Sequence, residues 1–147
     1  MRNAPTELEL LDTIYEKYYD AFAAYDEKAP SRGSKNYVPI DINEIGLALG
    51  VDREIVFGLL YYHLEKKYGY DVPSPVKDKN REEPPSRVHF FAMRIGSDRH
   101  CIHFPYLAGV VAGLRSDDRK YRLATTMALV SFVISLVSFG LSLSGKF

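Results

Sequence analysis

The sequence predicts an α+β fold: a small domain of helices and short strands, followed by a single C-terminal helix long enough to cross a membrane. Three observations predict it. Apolar residues in the N-terminal half recur at helical spacing behind side-chain caps. An alternating run interrupted by a Gly-containing turn then gives a hairpin signal. Finally, Leu123–Leu143 runs 21 residues without a charge and stops four residues short of the C-terminus. As a helix at about 1.5 Å per residue it reaches roughly 30 Å, the thickness of a bilayer's hydrocarbon core.

Removing that tail from the 147 residues leaves about 120, enough for a hydrophobic core without staples. The 19 basic residues balance the 19 acidic ones. Any attraction to nucleic acid or anionic lipid must therefore come from local patches. Cys101 is the only cysteine, which rules out an intramolecular disulfide and fits a reducing compartment.

Taken in order, Thr6 and Glu9 have the spacing of a capping box, so a helix should follow. Leu8, Leu11, Tyr15, Tyr18, Phe22 and Tyr25 then lie on one helical face. An aromatic row at this spacing reads as core rather than as a stacking platform for bases. Lys28–Ser34 breaks the pattern as a loop. Tyr37–Ile40 is a short β-like run whose Pro39 confines it to an edge or a strand end. Asp41 caps a short helix over Ile42–Leu49, with Glu44 placed to complete a second capping box, and Gly50 stands where a helix-ending glycine is expected. Asp52 caps the next helix, Arg53 to about Tyr68, with Val56, Leu59, Leu60 and Leu64 as its buried stripe.

After a polar loop over Asp71–Ser86, Val88–Ile95 and His100–Phe104 read as the two strands of a hairpin closed by Gly96–Arg99. Pairing Ile95 with His100 sorts Phe91, Met93, Ile95, Ile102 and Phe104 onto one face, and Phe90, Ala92, Arg94, Cys101 and His103 onto the other. Phe104–Leu114 has helical apolar spacing but is too short to span a bilayer. Gly109 and Gly113 form a G-x-x-x-G, which is a weak signal outside a span.

Ile45–Val56 resembles a helix-turn-helix. Gly46 lets two helices approach, Gly50 makes the turn, Val51 packs under it, and Val56 and Leu59 are the apolar positions of the second helix. With the helix before it and the hairpin after it, the order over Thr6–Phe104 resembles the winged helix-turn-helix family: helix, short strand, helix-turn-helix, two-stranded wing. The expected organisation is a winged-helix-like domain over 6–104, a connector helix over 105–122 and a transmembrane helix over 123–143.

No Gly-rich phosphate loop, nucleophile elbow or zinc-protease motif is present, and no nucleophile–base arrangement can be named. Asp117 and Asp118 sit in a mixed-charge connector and read as solvated. No catalytic residue, metal or cofactor is assigned. His89, His100, Cys101 and His103 are zinc-ligand types. In the expected register, however, Cys101 and His103 face one way and His89 and His100 the other, so hairpin packing is the better reading. Cys101 reads as a small half-buried hydrophobe.

The family resemblance implies DNA binding, with the second helix of the motif in the major groove and the wing on the backbone or minor groove. Carried over by position, that helix presents Arg53, Glu54, Phe57, Gly58 and Tyr61. Only Arg53 is basic, and Asp52 and Glu54 would repel phosphates. The wing is friendlier to DNA, with Arg94 and Arg99 and, upstream, Lys77, Lys79, Arg81 and Arg87. Asp78, Glu82, Glu83 and Asp98 dilute it. The leading expectation is a non-enzymatic adaptor that binds a protein partner through Arg53, Phe57, Tyr61 and Tyr62. The alternative is a membrane-tethered DNA-binding regulator using Arg53, Arg87, Arg94 and Arg99.

The N-terminal residues lack the apolar region of a signal peptide. With a span near the C-terminus, the pattern resembles tail-anchored membrane proteins. Arg115, Arg119, Lys120 and Arg122 precede the span and only Lys146 follows it, so the positive-inside bias places the N-terminal domain in the cytoplasm. Ala124, Ala128, Ser131, Ser135, Ser138 and Ser142 fall at steps of four and three, a stripe of small residues along the span. Such a stripe predicts close approach to a second helix, as a homodimer or on another membrane protein. The competing reading is that these hydroxyls bond their own backbone.

Overall fold

The capping box at Thr6 forms in full: its hydroxyl accepts from the Glu9 amide, and the Glu9 carboxylate accepts from the Thr6 amide. It starts helix α1, Glu7–Ala23, in a computed structural model that describes residues 3–73 and 86–145. Lys77, Lys79, Arg81, Asp78, Glu82, Glu83 and Lys146 lie outside the described residues. The buried centre of α1 is Leu10, Leu11 and Ile14. The aromatic stripe runs along one side of that centre, half-buried: Tyr15 and Phe22 stack on Phe104 at ring separations of 5.5 and 4.8 Å.

Strand β1, Tyr37–Pro39, leads into helix α2, Ile42–Leu49. Asp41 caps α2 by accepting from the amides of Asn43 and Glu44. The second half of the expected capping box is replaced. The Asp41 amide donates to the Tyr18 hydroxyl at 2.7 Å, and Glu44 turns instead to Lys17 at 3.1 Å. Gly50 ends α2 with φ +67°, a conformation that costs glycine little. At Gly46 a Cβ would stand 2.9 Å from the Val51 carbonyl, so the corner between helices needs the missing side chain.

The helix expected over Arg53 to Tyr68 is three pieces in series. These are α3, Arg53–Gly58, then a π-helical stretch, Leu59–Leu64, then α4, Glu65–Tyr68. Val56, Leu60 and Leu64 are fully buried, and Leu59 is only half-buried. Their spacing of four overshoots a 3.6-residue turn by about 40° per step. A wider turn takes up the overshoot and lets both Leu64 and Glu65 face inward.

The hairpin region departs from expectation in two ways. The span Val88–Ile95 is two strands, β3, Ser86–Val88, and β4, Phe91–Ile95. Strand β2, Tyr70–Val72, pairs antiparallel with β3, so both ends of the expected loop Asp71–Ser86 are a ribbon. The break falls at His89 and Phe90 because Glu65 captures it: its carboxylate accepts from the amides of Phe90 and Phe91 at 2.7 and 2.9 Å. In addition, β4 pairs with β5, Asp98–His103, through Ile95 and Asp98, two residues from the expected register. The turn is only Gly96 and Ser97, and Gly96 at φ +60° supplies the first position of a two-residue hairpin turn. A shift of two preserves the sorting of faces. Phe91 lies opposite Ile102, and Ala92 opposite Cys101, all buried. Met93, expected on the apolar face, is exposed toward the hairpin tip.

The main sheet is antiparallel with order β1-β5-β4, which places Pro39 on an edge strand as its missing amide requires. Its core joins Ile45, Val56, Leu60, Phe90, Phe91, Ile102, Phe104 and Leu107.

The packing helix, connector and span are one helix, α5, Phe104–Ser144. Pro105 sits in its first turn, where a missing amide costs nothing. By contacts the chain divides after Val111 into two units. In the first, Phe104, Leu107 and Val111 of α5 are buried. In the second, every residue of 121–145 is exposed, although 123–143 carries no charge. That helix is long and apolar enough to cross a membrane.

Candidate functional site

Asp52 starts α3 by accepting from the Glu54 amide at 2.8 Å, so the acid at this end of the helix is a cap. Arg53, the next residue, is mostly exposed and pairs with Glu54 at 3.2 Å. One turn on, Phe57 is half-buried. Its ring meets those of Phe91 and His100 edge-on at 6.5 and 6.0 Å, and stacks on Tyr61 at 5.4 Å. Tyr62 closes the group edge-on to both Phe57 and Tyr61. Phe57, expected on the outward face, is thus the inner member of the set. Tyr61 is 39% exposed and Tyr62 69%. The result is an aromatic band whose base is anchored in the core and whose rim is open.

Beside it lies a groove of about 690 Å³, lined chiefly by Tyr18, Ile40, Arg53, Phe57, Arg99 and His100, with Asp41, Glu44 and Glu54 also on its wall. Elements far apart in sequence meet there: α1, the β1–α2 junction, α3 and β5. His100 has φ +53°, the only non-glycine residue in the left-handed region among the described residues. Its Nδ1 is buried without a hydrogen-bond partner among them. A non-glycine residue at positive φ costs of order 1–3 kcal/mol and such residues cluster at ligand sites. Burial pushes the Tyr18 phenol above its ordinary value, so it stays a neutral hydroxyl toward the Asp41 amide.

The structure separates the four arginines weighed for phosphate binding. Arg53 and Arg99 line the same groove. Arg94 faces Arg99 across the hairpin and donates through Nε to the Gly96 carbonyl. Arg87 is elsewhere and occupied, bonded to Glu65 at 3.2 Å and to Asp71 at 3.1 Å. It fastens the β2–β3 ribbon and is not a free phosphate contact.

Glu65 is the residue the sequence reading missed. It is the one buried charged side chain among the described residues, at 8% exposure. Besides the two amides it binds Arg87 and the His89 Nδ1 at 2.8 Å. Gly69 makes room for it: a Cβ there would fall 2.5 Å from the Glu65 carboxylate. The signal was local. An acid in the last turn of a helix opposes the helix dipole, and such conflicts mark structural or functional posts.

Burial pushes the Cys101 thiol up, consistent with a small core side chain rather than a nucleophile. It pushes the His103 imidazole down, toward the neutral form that accepts from the Tyr106 amide. Among the described residues no three His, Cys, Asp or Glu side chains assemble as a metal-binding group.

On α5, Ser131 and Ser135 donate to the carbonyls of Met127 and Ser131, both at 2.9 Å. These two hydroxyls therefore satisfy their own backbone, and the small-residue stripe Ala124, Ala128, Ser131, Ser135, Ser138 and Ser142 lies exposed.

No protein-family model matches the chain, and neither a curated protein nor a solved structure matches it.

Proposed function

We propose that this is a membrane-anchored, non-enzymatic interaction module of winged helix-turn-helix type, which presents the aromatic rim of α3 and the π-helical stretch after it to a protein partner on the cytoplasmic face. The observation that carries it is the band of Phe57, Tyr61 and Tyr62, anchored inside and open outside. Aromatic side chains held on a rigid helix are the residues that dominate protein interfaces. The winged-helix reading is supported by the element order and by the sheet order β1-β5-β4, which lays the hairpin beside the helix pair. The membrane reading is supported by the exposed uncharged helix, and the orientation by the basic residues preceding it.

A DNA-binding regulator is the second reading, favoured by one observation: Arg53 and Arg99 line one groove. Against it stand Asp41, Glu44 and Glu54 on that same wall, and the engagement of Arg87 in the ribbon.

Photo-crosslinking tests the first reading. A benzoylphenylalanine replacing Tyr62 in the membrane-bound chain should give one discrete protein adduct, and one replacing exposed Glu16 on α1 should not. An equal yield at both positions, or none at Tyr62, contradicts a partner on this face.

A further inference from the structure

The geometry points to a specific chemistry for the partner: a short peptide segment that places a carboxylate on Arg99 and an apolar side chain against Phe57. This rests on the protein-partner reading above. The groove's charges carry it. Each of its three carboxylates is already engaged: Asp41 in the α2 cap, Glu44 with Lys17, and Glu54 with Arg53. Arg99 is different. It is exposed, makes no ion pair among the described residues, and stands directly opposite Arg94 in the hairpin. Like charges directly opposite on paired strands destabilise the pair. An incoming anion relieves that repulsion and gains a fork of guanidinium donors.

The wall beside Arg99 selects which anion. Asp41, Glu44 and Glu54 also line the groove, and their charges oppose a polyanion more than a single carboxylate seated on Arg99. A single carboxylate needs only Arg99. The neighbouring lining is apolar and aromatic, with Pro39, Ile40, Ile42, Phe57 and the His100 ring. About 690 Å³ lies within the usual range for sites that enclose a small ligand or a few side chains. The strained His100 forms one side of this space, and its backbone carbonyl is held by the Ile40 amide at 2.9 Å. The tie keeps Arg99 and β1 in fixed relation, which is the pre-organisation a weakly contacting peptide needs.

The test uses the full chain in lipid nanodiscs, panned against random heptapeptides displayed on phage. The selected peptides should carry Asp or Glu beside Phe, Leu or Tyr. Synthetic copies should bind Arg99→Gln about ten-fold more weakly than wild type, with Arg99→Lys recovering part of the loss. Changing the selected acid to its amide should cost wild type the same factor and cost Arg99→Gln nothing further. Arg99 is exposed, so unchanged circular dichroism should accompany both variants. Selection of apolar peptides without an acid overturns the carboxylate assignment while leaving a protein partner on the aromatic band in place. No selection at all overturns the peptide proposal, and crosslinking at Tyr62 then decides the broader reading alone. Displacement of the selected peptides by duplex DNA at low salt assigns Arg99 to phosphate and overturns the proposal outright.

Discussion

Glu65 decides more of this structure than any other single side chain. Its carboxylate ends one ribbon, starts the next strand and joins the start of α4 to both. Removing it leaves two buried amides without an acceptor and Arg87 with only Asp71. Glu65→Ala should cost about 3–5 kcal/mol in urea unfolding of the detergent-solubilised chain, against less for Glu65→Gln, which keeps one acceptor oxygen. A loss within 1 kcal/mol, on the order of an exposed ion pair, would show that the bend at His89 and Phe90 holds without it. Glu7 gives a second test, through pH. Burial raises its carboxyl, but hydrogen bonds from Lys67 and Tyr68 and the Lys67 charge outweigh that and hold it below its ordinary 4.5. A carboxyl lowered on folding stabilises above its unfolded value, and the contribution is lost as pH falls through the lowered folded value. The advantage of wild type over Glu7→Gln should therefore be constant near neutrality and shrink once pH drops below 4.5. An advantage that persists unchanged to the acid limit of folding would contradict the pairing. The partners of neither residue were legible in the sequence, although the acid near a helix end at Glu65 was a local sign. Both act across 20 or more positions, and capping and periodicity rules see only neighbours three or four apart.

At the scale of elements, what was legible is what is local. The Thr6 box, the Asp41 and Asp52 caps, the Gly50 stop and the edge position of Pro39 all rest on residues within a turn of each other. The π-helical stretch, the β2–β3 ribbon and the hairpin register were not legible, because each depends on partners brought by the fold. An error of two residues leaves a period of two intact, but burial does not follow the expected faces: Phe91 and Ala92 are buried together and Met93 and Arg94 are exposed together. Half of the candidate site was readable in the same way: Arg53, Phe57, Tyr61 and Tyr62 lie within three turns of one helix. Tyr18, Arg99 and His100 join Arg53 and Phe57 only in three dimensions. Helix α5 carries its own prediction. Ser131 and Ser135 bond their own carbonyls, which leaves a smooth stripe of small side chains. If two spans meet along that stripe, close packing holds them rather than hydroxyl donation. Replacing Ser131, Ser135 and Ser138 by Ala should then preserve self-association in a membrane reporter, and replacing them by Leu should abolish it. Association unchanged by Leu would remove the stripe as a contact.

At the scale of the whole molecule, the chain joins a folded unit with an aromatic, mixed-charge face to an exposed helix fit for a bilayer. Net charge is zero over the chain, and within Met1–Val111 the 17 acidic residues outnumber the 14 basic ones, so no long-range field draws the folded unit to nucleic acid. The cations a DNA reader would use are divided: Arg87 is fixed in the ribbon, and Arg53 is paired with an acid. The account therefore rests on a protein partner rather than DNA. Fluorescence anisotropy of a labelled DNA duplex, titrated with the full chain in nanodiscs of neutral lipid, tests this most directly at about 50 and about 200 mM salt. The account predicts no binding at protein concentrations up to about 100 μM at either salt, the weak end of ordinary non-specific association. Micromolar binding at the lower salt that falls steeply at the higher, with a slope reporting several phosphate contacts, would contradict it.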